Sequence, residues 1–165
     1  MTHIIKELPK DFSVLIKTVS SESDRGAVIA CTEYLLLNCR NLLGKGFENI
    51  SFANAISIIK RFIGNKTLTD SANALGKLRN KAGHSYKEFS LDDTGQLFSN
   101  NLRAQLQKNN IYKEVMEMPE IININKINSK VANKIILIVA TFTLVTHFEI
   151  LIKKLDLAKK KENLI

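Results

Sequence analysis

The stretch Ile135 to Ile152, IILIVATFTLVTHFEILI, constrains this chain more than any other. A segment apolar around so much of its circumference has to be enclosed, by lipid or by the rest of the protein. Its uninterrupted part ends near Val145, short of the ~20 residues that a bilayer span needs. Thr141, Thr143, Thr146, His147 and Glu149 then break the apolar face. The expectation is the central helix of a soluble bundle, with no membrane partner. Met1 to Lys10 carries Lys6, Glu7 and Lys10 and has no continuous apolar run, so no signal peptide is read there.

The remainder of the chain supplies the helices that such a core needs. Pro9 and Asp11 open a first helix with Phe12, Leu15, Ile16 and Val19 in one stripe. Ser21 and Ser23 are candidate caps for a longer helix ending near Leu43, where Gly44-Lys45-Gly46 stops it. Ser51 caps a third, Phe52 to Ile63, and Gly64-Asn65 ends it. Thr69 or Asp70 starts a fourth that runs to about Phe89. Asp92 and Asp93 cap a fifth, Gly95 to about Lys108, which Ile111 to Met118 continues after a break at Asn109-Asn110. In EIININKINSK, Ile122, Ile124 and Ile127 alternate with polar residues and are read as an extended arm, since no partner strand is evident. Ser129 caps the last helix.

The fold class expected is therefore all-α: a single-domain antiparallel bundle of five to six helices over residues 1–165, with a basic tail from about 153. A chain of 165 residues can bury a proper core as one domain. Apolar surface at 28–43 and 131–152 exceeds what one amphipathic face requires, which favours a homodimer. Cys31 and Cys39, eight apart on one helix, lie ~12 Å apart and cannot bridge each other. Read as buried thiols, they point to a reducing cytoplasm. No Cys or His spacing suits a structural zinc, and neither metal nor cofactor is expected.

The chain holds 24 Lys and Arg against 16 Asp and Glu, a formal net charge of +8. Such an excess fits an anionic partner, nucleic acid above all, although Lys153, Lys154, Lys159, Lys160 and Lys161 also suit a helix C-terminus on their own account. The stretch GKGFENI is no phosphate loop, for no strand precedes it and no Gly-Lys-Ser/Thr follows.

The chemistry-bearing stretch is KLRNKAGHSYKEF, residues 77–89. On a helix Arg79 and His84 project about 140° apart, whereas Asn80 and His84 share a face. The Asn80 amide beside the imidazole would fix its tautomer, and Gly83 would let a ligand or another backbone approach. Without a metal, those groups suit cleavage of RNA. His84 would take the proton from a ribose 2'-hydroxyl, Arg79 would neutralise the phosphorane, and a second His84 across a dimer axis would protonate the leaving oxygen. Lys77, Lys81 and Lys87 flank the block as candidate nucleic-acid contacts. The competing reading is a polar seam that only helps helices pack.

Three stretches in order, SESDRGAVIACTEYLLLNCRNLL, FANAISIIKRF and KLRNKAGHS, resemble the mannitol operon repressor family, the MltR-like proteins of bacteria. The Arg-x4-His block also resembles the wider HEPN superfamily of helical domains, many of which are dimeric ribonucleases or toxins. The resemblance covers roughly residues 12–90. It implies an all-helical, dimeric fold with Arg79, Asn80 and His84 in the block. It further implies that Asp24, Arg25 and Gly26 open an inner helix close to that block, with an Asp24–Arg79 ion pair as one reason. Fold and site are carried over; mannitol genes as a target are not. Three functions follow: a regulatory protein binding a protein or nucleic-acid partner, RNA more than DNA; a metal-independent endoribonuclease of the toxin or phage-defence kind; and a non-catalytic structural dimer.

Overall fold

The computed structural model describes residues 5–62, 64–84, 88–91, 106–127 and 132–162. The described residues form seven helices and no strand. These are α1 (Lys10–Ser21), α2 (Asp24–Leu43), α3 (Phe52–Phe62), α4 (Lys66–His84), α5 (Asn110–Met116), α6 (Pro119–Ile127) and α7 (Ala132–Glu162). The all-α class is thus as expected, with seven helices among the described residues where five or six were read. The expected helix Gly95–Lys108, the caps Asp92 and Asp93, and the cap Ser129 fall outside the described residues, apart from the last residues before Asn109.

Local chemistry accounts for most boundaries. The Ser23 hydroxyl accepts from the Gly26 amide and starts α2; Gly44, at φ 78°, ends it in a conformation that side chains resist. Ser51 caps α3 by accepting from Asn54. Helix α4 begins three residues earlier than Thr69, because Asn65 does more than end α3: its side-chain Oδ1 accepts from the Leu68 amide and caps α4. Asn109 caps α5, accepting from both Ile111 and Tyr112.

The extended arm is a misreading that α6 corrects. Pro119 stands at the first helical position, where its missing N–H costs nothing, and Glu120 suits the positive end. Ile121 is fully buried and Ile124 half-buried, three apart on one face, while Ile122 is exposed. The decisive spacing was 121 to 124, and the alternation of 122 with 124 was incidental.

Helix α7 is the axis of the bundle and touches every other described helix. Ile135 through Val145 and Phe148 are all buried. The helix is long and apolar enough to cross a membrane by length and composition alone, yet two-thirds of its most apolar window is already buried inside the protein. Much of the apolar surplus attributed to a dimer is therefore consumed within one chain. Thr141 and Thr143 sit in this core without penalty because their hydroxyls donate to the carbonyls of Leu137 and Val139, one turn back. Phe12 of α1 lies on Phe142 with ring centroids 4.2 Å apart. From Lys153 onward the described side chains are exposed, so the lysine-rich end of α7 projects beyond the core.

Candidate functional site: a basic groove beside the arginine-histidine block

Helices α2, α3 and α4 pack so that a groove of about 620 Å³ opens between them. The core face of α4 is made by Leu68, Ser71, Ala72, Leu75, Leu78 and Ala82, all buried. Residues rotated away from that face reach the groove: Asn73, Gly76, Lys77, Arg79 and Asn80. From α2 come Glu33 and Arg40, and from α3 come Phe52 and Lys60. Among the described lining residues, four cations thus face a single carboxylate.

Two of those cations are engaged. The Arg40 guanidinium donates twice to the Ile50 carbonyl, at 3.2 and 2.7 Å, and pins the loop that leads into α3. Arg79 lies over the Phe52 ring, 5.3 Å from its centroid, with a nitrogen 3.6 Å from the Glu33 carboxylate. Its Nε is buried without a hydrogen-bond partner. Both members of the Arg79–Glu33 pair remain partly exposed, so the pair contributes little stability, well under about 1 kcal/mol. Lys60 and Lys77 make no ion pair among the described residues.

The expected Asp24–Arg79 ion pair does not form. Asp24 accepts from the Leu91 amide at 2.9 Å and lies 4.0 Å from Lys134 of α7. Arg25 reaches the block instead, donating to the Ala82 carbonyl. That oxygen is among the last four of α4, which have no partner within the helix, so Arg25 caps α4 from a neighbouring helix. Asp24 and Arg25 therefore tie the start of α2 to Leu91 and to the end of α4. Gly26 belongs to the same turn; a Cβ there would meet the Glu22 carboxylate at 2.5 Å.

Arg79 and Asn80 share the groove, and His84 does not line it. His84 is exposed in the last turn of α4. Being four residues beyond Asn80, it stands on the same face of α4, about 6 Å further along the axis. Gly83 beside it is open, since an added Cβ would meet nothing within 4 Å. Lys77 lines the groove and Lys81 is exposed outside it, while Lys87 lies outside the described residues.

Sequence reasoning missed Glu33, Arg40, Phe52 and Lys60. Glu33 had one signal: it is the lone acid in the apolar middle of α2. The thiols of Cys31 and Cys39 are buried, and burial pushes each up to about 12, far from the range of a nucleophile. Among the described residues no group of three or more His, Cys, Asp and Glu side chains is placed to hold a metal ion. No family model matches the chain, and no curated protein or solved structure matches it either.

Proposed function

We propose that this chain is a regulatory binding protein of the mannitol-repressor-like kind, which acts without catalysis and takes a single strand of nucleic acid, RNA before DNA, along the α2–α3–α4 groove. The supporting observation is the charge of the groove, four cations to one carboxylate, with Lys60 and Lys77 unpaired among the described residues. An acidic surface of any kind would be drawn there, and the net +8 of the whole chain extends that attraction. The amides of Asn73 and Asn80 offer hydrogen bonds to a sugar-phosphate strand.

The test is fluorescence anisotropy of a labelled single-stranded RNA, with DNA of the same sequence beside it, at several salt concentrations. Each phosphate contact contributes about 0.7 to the slope of log K against log salt for a single strand. Removing the two unpaired cations, in Lys60→Ala/Lys77→Ala, lowers the slope by about 1.4 and the affinity about 25-fold at 0.1 M salt. An unchanged slope in that variant refutes the reading.

A second reading, a metal-independent ribonuclease, is favoured by the open setting of His84 and Gly83 on the face that Asn80 shares. A second copy of the chain, in a homodimer, would have to supply the other proton-transfer group. RNA incubated with the protein in EDTA decides between the two. Cleavage that is lost in both His84→Ala and Arg79→Ala establishes the enzyme; binding without cleavage leaves the regulatory reading.

A further inference from the structure

Away from the groove, a second cavity of about 490 Å³ lies between the first turn of α4, the turn before α5 and the outer half of α7. Its lining includes Asn65, Thr67, Lys108, Asn109, His147 and Lys154, with no carboxylate among the described residues. Neither Lys108 nor Lys154 makes an ion pair among the described residues. Two ammonium groups brought to one concave site with no carboxylate in its described lining repel one another, and an anion relieves that repulsion. The volume falls within the range of small-molecule sites.

The imidazole is held in a defined state. The Asn109 carbonyl oxygen is taken by the amides of Ile111 and Tyr112, so its NH2 group is what faces His147, with Nδ2 2.9 Å from Nε2. The Asn109 nitrogen donates, Nε2 accepts, and the ring proton is on Nδ1. Protonating Nε2 would set two donors face to face. The ring would leave Asn109 and present its N–H to whatever negative charge occupies the cavity.

We infer that this cavity binds a small phosphate monoester, with Lys108 and Lys154 holding the phosphate and His147 becoming the third cationic partner on binding. Lys108 and Lys154 are the charged groups facing the ring from the α5 side and from α7; α4 contributes only Asn65 and Thr67 to the lining. With two cations beside it and no carboxylate among the described lining residues, the imidazole gains a proton only when the anion arrives.

Calorimetry on the full chain tests this with glycerol 3-phosphate and inorganic phosphate as probes. It is run at pH 7.5, where a phosphate monoester with a second pKa of about 6 is already dianionic, in two buffers of different ionisation enthalpy, so that the protons counted are those taken up by the protein. The expected result is saturable binding of glycerol 3-phosphate with net proton uptake. Lys108→Ala/Lys154→Ala, both at exposed positions, weakens it at least tenfold. His147→Gln, which keeps an acceptor for Asn109, binds with less proton uptake. Equal affinity in the double lysine variant overturns the inference, as does the absence of saturable heat. A phosphate effect confined to nonspecific salt screening, reproduced by chloride at equal ionic strength, overturns it as well. RNA affinity unchanged by the double lysine variant separates this site from the groove.

Discussion

Arg25→Met asks whether the start of α2 holds the end of α4. The substitution keeps an apolar stem of similar length and removes the guanidinium that donates to the Ala82 carbonyl. A hydrogen bond from a charged donor is worth about 1.5–3 kcal/mol, and partial exposure of this one argues for the lower part of that range, about 2 kcal/mol. The same cation faces the negative end of a nineteen-residue helix, which adds in the same direction. For a domain of this size, about 2 kcal/mol corresponds to a fall in Tm of about 4–8 °C. Urea melts read the loss as a lower midpoint at constant m. Hydrogen exchange locates it, because the amides of the last turn of α4, residues 80–84, should exchange faster while those of α7 follow only the global change. Arg25→Lys keeps the charge without the planar fork and should recover part of the loss. A loss below about 0.5 kcal/mol, or a full-sized loss with residues 80–84 as protected as before, refutes the capping argument.

Other substitutions probe the core and the titrating groups. Cys31 and Cys39 should stay silent to a thiol reagent in the native protein and react only in denaturant, since burial keeps both protonated at pH 8; native-state labelling at the unfolded rate contradicts this. Ile121→Ala empties a fully buried site that anchors α6 and should cost about 2–5 kcal/mol, read by urea melts, whereas Ile122→Ala at an exposed site should cost under about 0.5 kcal/mol. Burial lowers the affinity of His147 for a proton in the fold, so its contribution to stability is complete above about pH 6.5 and is lost as pH falls below that. Melts from pH 8 to pH 5 should therefore show a loss of stability that His147→Gln makes shallower; an identical profile in both proteins disproves it.

Legibility in the sequence followed the distance over which each cause acts. Ser23, Gly44 and Ser51 act on backbone groups within three or four residues, so the bounds of α2 and the start of α3 could be read from local chemistry alone. Asn65 was ambiguous because one residue both follows α3 and caps α4, and only the packing of Leu68 into the core decides where the second helix begins. At 121–127 two periods overlapped in one string of isoleucines, and burial of Ile121 selected the helical one. The groove was the least legible part. Arg40, Phe52, Lys60 and Lys77 are far apart in sequence, and what assembles them is the packing of α2, α3 and α4 around a shared core.

The same helical geometry gives the block its shape. Asn73, Lys77, Asn80 and His84 follow one another at three- and four-residue steps, so they form a stripe about 16 Å long on one face of α4. Helix α3 walls the first part through Phe52 and Lys60, and the last turn, with Gly83 and His84, runs on past the lining residues into the open. Arg79 is rotated off the stripe and held over Phe52, which explains why five-residue spacing leaves Arg79 in the groove and His84 beyond its lining rather than making them a contacting pair. A strand seated among Lys60, Lys77 and Asn80 would therefore meet His84 only if it extends beyond the walled part. Shortening the RNA in the anisotropy assay should then abolish any effect of His84→Ala before it abolishes the effect of Lys60→Ala/Lys77→Ala. If His84→Ala instead weakens short and long strands alike, the stripe is not the track that the nucleic acid follows.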